Sequence, residues 1–406
     1  MTEVKPAKIW NKMYTCAFVA NFLLCVSQFL VNPLVTEYAR LLGADDVKIG
    51  VITGLYFGVA FLARPFSGPA ITKLNKKYIM LFAYMMGFVV NVGYALSNSI
   101  PLFVVSRILH GVQFAFIGSL NLTLASDSLP QEKMGSGLGM FGVGGAVATA
   151  IAPSFAIALS SWGEQIFKTE SAGYTVVFSV AAVCMLISVA PCLIMPYKPL
   201  TNNEKSQLGA WYKSIIATEA FLPAIVILFY ALGSIIYTAY MIPLSKELGI
   251  ENIGLFYTVY ALAILAARPL SGRLIDRFGE VKVIIPGSFI FAASFIVTGT
   301  SHSLTQILVG AVLAAIGYGS AQPALQTMAM RSVEPARRGS ASNTNYFGLD
   351  LGFFIGPTLA GFIIANGTHA RMFVLAVIPI LLSTLIFLLG LKPYRAYIAK
   401  KLKQND

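Results

Sequence analysis

Charge is what this chain has least of. Asp, Glu, Lys and Arg make up 11% of its 406 residues, against about 25% in soluble globular proteins. No phosphate-cradling glycine loop followed by Lys-Ser/Thr occurs, which excludes an ATP drive, and no Ser/His/Asp arrangement or metal-ligand cluster supports an enzyme, a cofactor or a metal. The four cysteines, Cys16, Cys25, Cys184 and Cys192, fall inside apolar runs without ligand spacing and read as small apolar fillers. Short segments of alternating polarity, the mark of a membrane β-barrel, are missing too. A cleavable leader is not expected, because the first apolar run is of full spanning length with no small-residue cleavage site after it.

What is there is apolar. Hydrophobic residues reach 57% and mean hydropathy is +0.74. Twelve runs match the roughly 20 residues that cross a bilayer: 13–36, 49–71, 78–97, 101–124, 137–161, 173–195, 215–243, 252–274, 281–300, 303–327, 340–364 and 370–391. Backbone groups in lipid must be satisfied within their own segment, so the runs read as helices. A net charge of +12 invites a nucleic-acid reading, which its distribution rejects. With the N-terminus inside, 23 of the 29 Lys and Arg lie on the inner side, five in outer loops (Arg40, Lys48, Lys168, Lys246, Arg371), and Arg107 within a span. That bias predicts a plasma (inner) membrane protein with both termini cytoplasmic. The tail Lys400-Lys401-Leu402-Lys403 reads as a topology anchor, with an acidic-lipid site as the alternative. Asn366-Gly367-Thr368 is a chance-level glycosylation triplet.

The chain repeats itself. Arg64-Pro65-Phe66-Ser67-Gly68 returns as Arg268-Pro269-Leu270-Ser271-Gly272, Gly135-Ser136 as Gly339-Ser340, and Pro153 as Pro357, each pair 204 positions apart. A duplicated unit in so apolar a chain predicts an all-α membrane protein: twelve transmembrane helices in two six-helix pseudo-symmetric halves, related by an axis along the membrane normal, with a site between them. The polar stretch Lys198–Trp211 is the seam. The expected division is an N-terminal half 1–197, a cytoplasmic linker 198–212 and a C-terminal half 213–406 with a short tail. Within the sixth, ninth and twelfth runs, the stretches Val176–Met195, Val283–Thr300 and Met372–Leu391 carry no charge and no Asn or Gln, and the third run has only Asn91. These four should face lipid, while the first, fourth, tenth and eleventh should line the interior.

Those landmarks carry a family resemblance over nearly the whole chain. It resembles the major facilitator superfamily. That family's inner-loop pattern, Gly-x-x-x-Asp-Arg/Lys-x-Gly-Arg/Lys-Arg/Lys, stands in the second half as Gly272-x-x-x-Asp276-Arg277-Phe278-Gly279 and survives in the first only as Gly68-x-x-x-Thr72-Lys73-Leu74-Asn75-Lys76-Lys77. Its Arg-x-x-Gln-Gly pattern reads Arg107-Ile108-Leu109-His110-Gly111. The Gly-Pro pattern of drug:proton antiporters is blurred around Pro153 but well kept as Gly352-x-x-x-Gly356-Pro357-x-x-Ala360-Gly361. The resemblance implies the major facilitator fold, no enzymatic activity, and gating by Arg64, Lys73, Asp127, Gly272, Asp276, Arg277 and Arg331. The 204-residue offset places Asp127 where Arg331 stands, so the expected ion pairs are Asp127 with Lys73 and Arg331 with Asp276.

Three side chains are candidates for proton coupling. Arg107 costs roughly 2.5–3.5 kcal/mol at a bilayer centre; the resemblance gives it a coupling or substrate role, and a structural arginine bonded to helix carbonyls is the alternative. His110 is the one histidine within the bilayer and either titrates or packs. Asp350 is the one acidic residue deep in a span. Burial penalises its charged form, so it can load and release a proton as access alternates, or else it pairs permanently with a cation. Cavity candidates are Asn21, Gln28 and Asn32, one stripe on the first helix, with Gln113, Tyr230, Tyr237, Tyr257, Tyr260, Tyr318, Gln322, Gln326, Asn345 and Tyr346. Interhelical hydrogen bonding is the competing reading of the amides, and core packing that of each tyrosine. Glu219 reads as serving the N-terminus of the seventh helix. The expected function is proton-coupled efflux of amphipathic or drug-like molecules by a monomer working by alternating access. The alternative is an uptake carrier or exchanger for a small organic anion or metabolite, with Arg107 as its partner. The expected partners are a small-molecule substrate, protons and the lipid bilayer, with no nucleic acid.

Overall fold

The computed structural model describes residues 8–199, 201, 210–365 and 367–405. Most of the expected linker and Asn366 of the glycosylation triplet therefore lie outside the described residues. Among the described residues, twelve helices are long and apolar enough to cross a membrane: α1 Lys12–Leu41, α2 Lys48–Lys73, α3 Lys76–Ala95, α4 Ile100–Asp127, α5 Gln131–Phe167, α6 Glu170–Ile194, α7 Thr218–Ala239, α8 Gly254–Phe278, α9 Val281–Gly299, α10 Leu304–Arg331, α11 Pro335–Ala365 and α12 His369–Lys401. No strand occurs among the described residues. The protein is an integral membrane protein built of helices.

Local chemistry sets the helix ends. Asn11 Oδ1 accepts the Tyr14 N–H at 2.9 Å and opens α1, the usual N-cap arrangement. Asn32-Pro33-Leu34 tightens into a 3-10 turn within α1, because Pro33 supplies no N–H to the helix ladder. Several helices outrun their apolar runs. α4 continues to Asp127 and α10 to Arg331, where each charged end residue has an ionic partner, Asp127 with Arg338 and Arg331 with Asp276 and Glu280.

The chain forms two compact units. One holds Trp10–Ala125 with Gly144–Ile215; the other holds Ser126–Val143 with the described residues from Ile216 onward. In the first, α3 and α1 pack on α6. A methyl group on Gly87 of α3 would lie 2.8 Å from Met185 Sδ of α6, so the small residue permits the approach. In the second, the tightest pairs are α9 with α10, α7 with α11 and α8 with α10. A methyl on Gly352 of α11 would meet Ala231 Cβ at 2.8 Å and Leu232 N at 3.0 Å, so the kept glycine series seats α11 on the α7 backbone.

The ninth run was placed among those facing lipid. Half of its membrane window is buried, as much as for α10. The cause is Gly317 of α10, where a methyl would lie 2.5 Å from the Phe291 N, so Phe291 and Phe295 sink fully into the unit. The absence of charge on α9 beyond Lys282 did not distinguish packing on protein from packing on lipid.

Candidate functional site

In the first unit the polar residues of α1, α2, α3 and α4 meet in one network. Arg107 is buried. Its Nε donates to the Ile52 carbonyl at 3.2 Å, its Nη2 to the Thr53 carbonyl at 3.3 Å and its Nη1 to Asn32 Oδ1 at 3.3 Å. The guanidinium lies 4.8 Å over the Tyr56 ring, a cation–π contact that helps hold a charge away from water. Gln28 Nε2 donates to Tyr56 Oη at 2.5 Å. His110 stands edge-on to Tyr56 at 4.7 Å, and its Nδ1 lies 3.2 Å from Tyr94 Oη. Gly111 lets α4 approach this part of α2, since a methyl there would lie 2.8 Å from the Tyr56 carbonyl oxygen.

The α1 stripe is therefore real, and each of its amides has a partner within the unit. Asn32 holds Arg107, Gln28 holds Tyr56, and Asn21 accepts from Asn121 at 3.1 Å, whose amide also reaches Tyr84 Oη at 3.0 Å. Gln113 is 1% exposed and lies against Gly87, beside Met185. It makes no hydrogen bond among the described residues, and its place is the unit's core. Sequence reasoning missed Tyr56, Tyr84 and Tyr94, because nothing in their local pattern marks a tyrosine as the partner of a distant polar side chain.

In the second unit Asp350 is fully buried on α11. It stands two residues from both Gly348 and Gly352, about 200° round the helix, and so faces away from α7. Asn345 is fully buried, with neither side-chain atom hydrogen-bonded among the described residues. Tyr230 and Tyr237 are fully buried and reach across to α9, with hydroxyls 2.5 Å from Ser288 Oγ and 2.7 Å from Thr298 Oγ1. The structure puts both in the packing core, the alternative kept open for each tyrosine. Tyr257 donates to the Thr238 carbonyl at 3.1 Å. Tyr260 stacks 6.2 Å from Tyr237, and Tyr318 lies 5.8 Å from Phe291. Gln326 and Tyr346 are half-buried. Gln322 accepts from Arg268 Nη2 at 3.0 Å, which adds Arg268 of the duplicated motif to the site.

Its counterpart, Arg64, is corrected. Expected in a gating loop, it lies fully buried inside α2 and ties that helix to α4, donating to the Ala115 carbonyl at 2.7 Å and Ser119 Oγ at 3.1 Å.

Charged groups gather at the α4–α5 and α8–α9 loop end of the second unit. Asp276 receives Gly135 N and Ser136 N, both at 2.8 Å, capping the start of α5. A carboxylate there answers the positive helix end. Arg331 bridges Asp276 at 3.1 Å, Glu280 at 2.7 Å and the Gln131 carbonyl at 2.7 Å. The pairing of Arg331 with Asp276 is as expected; the capping role is new. Asp127 lies 3.6 Å from Arg338, which also donates to the Ser126 carbonyl at 2.8 Å. Lys73 is half-buried. Glycines let the backbones close here. A methyl on Gly272 would stand 2.8 Å from the Gly135 carbonyl oxygen, and one on Gly139 2.6 Å from that of Arg268. Arg277 takes no part: it is exposed and lies over the Phe278 ring at 5.1 Å. Glu219 does not serve the α7 N-terminus alone. Its buried carboxylate pairs with Arg337 and, at 2.6 Å, with Lys401 of α12.

Two duplicated halves, the paired motifs and twelve spans converge with a direct comparison. The family model described as Major Facilitator Superfamily matches residues 17–251 and 223–405. The chain belongs to the major facilitator superfamily. It is a membrane transporter of small molecules and not an enzyme. Among named relatives, it is 25% identical to the multidrug resistance protein MdtG of Enterobacter lignolyticus (strain SCF1) over 94% of this chain and 93% of that one. It is also 25% identical to MdtG of Escherichia coli O81 (strain ED1a) over 90% of each. Solved structures share the fold. The human organic anion transporter MFSD10 (TETRAN) superposes with a TM-score of 0.75 at 16% identity, over 93% of this chain and 99% of that one. The E. coli fucose:proton symporter FucP gives 0.76 at 12% identity, over 92% and 97%.

Proposed function

We propose that this transporter exports amphipathic, drug-like molecules in exchange for protons, as a monomer working by alternating access, with both termini in the cytoplasm and the two six-helix halves divided at residues 198–212. The observation that carries this reading is Asp350. A carboxyl fully buried in the middle of a span must be compensated, and neutralisation by a proton is the compensation that alternating access can exploit. Each proton moved inward down 100 mV supplies about 2.3 kcal/mol to drive export. The well-kept Gly-Pro series of α11 and the likeness to relatives named multidrug resistance proteins support the same direction. Arg107, held by the Ile52 and Thr53 carbonyls, Asn32 and Tyr56, and His110 beside it then hold α1, α2 and α4 together as a unit. The capped α5 and the Arg331 bridge serve as the latch that closes one face of the cycle.

A second reading has its own observation. Arg268 places a half-buried guanidinium within α8, donating to the neutral amide of Gln322, the chemistry a small organic anion would meet. Counterflow of a compound library in proteoliposomes, with and without an imposed pH gradient, separates the two. Export of lipophilic cations and neutral drugs that accelerates with the gradient supports the first. Exchange confined to organic anions and blind to the gradient overturns it.

A further inference from the structure

The loop-end stretch of α8 and α9 sorts its charges by direction. Its acids turn into the protein: Asp276 caps α5 and Glu280 holds Arg331. Its bases turn out. Arg273, Arg277 and Lys282 are exposed, and none makes an ion pair or hydrogen bond among the described residues. The guanidinium of Arg277 lies over the Phe278 ring, 5.1 Å away.

The surface they occupy is apolar. Leu262, Ala266, Leu270, Leu274 and Phe278 recur at every fourth position of α8 and are all exposed, Leu270 at 58% and Phe278 at 46%. At 100° per residue, Arg273 and Arg277 lie about 60° from Leu270 and Leu274, on the flank of this stripe. Arg273 is five residues short of the helix end, about 7.5 Å along the axis. A long apolar stripe on a membrane span is covered by acyl chains. A guanidinium beside it extends along the helix toward the headgroup layer, and its planar fork suits phosphate oxygens in a two-point contact.

We propose that Arg273 and Arg277, with Lys282 at the start of α9, form a binding site for the phosphate headgroup of an anionic phospholipid whose chains lie on the Leu270–Leu274–Phe278 stripe. Charge complementarity selects the lipid: Arg273 and Arg277 stand one helical turn apart, Lys282 follows five residues on at the start of α9, and the two acids in the same stretch are consumed elsewhere. The site adjoins the helix turn that carries Asp276, so an occupied headgroup fixes the end of α8 from which the latch is built.

The test uses the full-length protein in detergent, titrated with phosphatidylglycerol or phosphatidylcholine of matched chains and read by native mass spectrometry. One basic residue near an anionic surface is worth roughly fivefold in affinity. Wild type should bind phosphatidylglycerol well above phosphatidylcholine. R273Q should lose about fivefold for phosphatidylglycerol, and R273Q with R277Q about 25-fold, with phosphatidylcholine unchanged in both. K168Q, in the α5–α6 connection of the other unit, should bind like wild type and controls for net charge. Inorganic phosphate at millimolar concentration should not displace the lipid. Equal binding of the two lipids by wild type, unchanged phosphatidylglycerol affinity in R273Q/R277Q, or displacement by free phosphate each overturns the proposal. If the double variant does not fold, R273Q alone decides it.

Discussion

The capping of α5 by Asp276 can be weighed by Asp276→Asn. The carboxylate takes two backbone N–H groups at 2.8 Å and Arg331 at 3.1 Å. An asparagine offers one oxygen, so one of the two N–H bonds is lost. A hydrogen bond to a charged group contributes about 1.5–3 kcal/mol, and the negative charge at the helix start about 0.3–1 more. The ion pair is 25% and 11% exposed on its two sides, and solvent screening keeps its own share under about 1 kcal/mol. The contact should weaken by roughly 2–4 kcal/mol. If the latch exists in one of two states, their ratio moves by about 30- to 1,000-fold. The assay is maleimide labelling of a cysteine at position 271, where Ser271 is 1% exposed, in a background with Cys16, Cys25, Cys184 and Cys192 replaced. Labelling should rise at least tenfold in Asp276→Asn. A lowered Tm with an unchanged labelling rate would refute the reasoning, because Asp276 would then support the fold alike in both states. The double reversal Asp276→Arg with Arg331→Asp should restore little, since an arginine at 276 cannot accept the Gly135 and Ser136 N–H groups.

Other perturbations follow from single contacts. Glu219→Gln leaves Arg337 and Lys401 without their carboxylate; both are partly exposed, so the cost should be about 1–2 kcal/mol, read as a Tm lowered by a few degrees and partly recovered in Arg337→Gln/Glu219→Gln. Gly352→Val drives a side chain into Ala231 and Leu232 of α7 and should cost at least about 2 kcal/mol, or abolish folded protein in size-exclusion chromatography. Glu247 is opposed by burial, but the His369 and Ala370 N–H groups and the His369 ring hold its carboxyl below the usual range. Its stabilisation is therefore full above about pH 4.3, the ordinary glutamate value, and lost as pH falls through the lowered value. Thermal melts should show wild type above Glu247→Gln at pH 7, with the gap closing as pH falls below the ordinary glutamate value; a constant gap would contradict it.

Much of the fold was legible because a bilayer imposes one length and one polarity on every span. The runs 101–124 and 303–327 found α4 and α10, although neither showed that Asp127 and Arg331 continue the helix. The site was legible in part. The phase of Asn21, Gln28 and Asn32 marked one face of α1, but their partners lie 28 to 100 residues away. Tyr230 and Tyr237 formed a visible stripe, yet a stripe facing a cavity and a stripe facing Ser288 and Thr298 of α9 look the same in sequence. Glu219 suited a helix start; only the structure brings Lys401, 182 positions on, to its carboxylate. Duplication placed Gly135-Ser136 as a landmark, but that Asp276 would cap it depends on α5 crossing α8.

The central claim is that Asp350 carries the coupled proton. Asn keeps the shape and hydrogen bonding of the neutral acid but cannot release a proton. In proteoliposomes with an imposed pH gradient, Asp350→Asn should lose gradient-driven transport while retaining substrate exchange at zero gradient within about twofold of wild type. Gradient-driven flux at the wild-type rate in Asp350→Asn would contradict the claim.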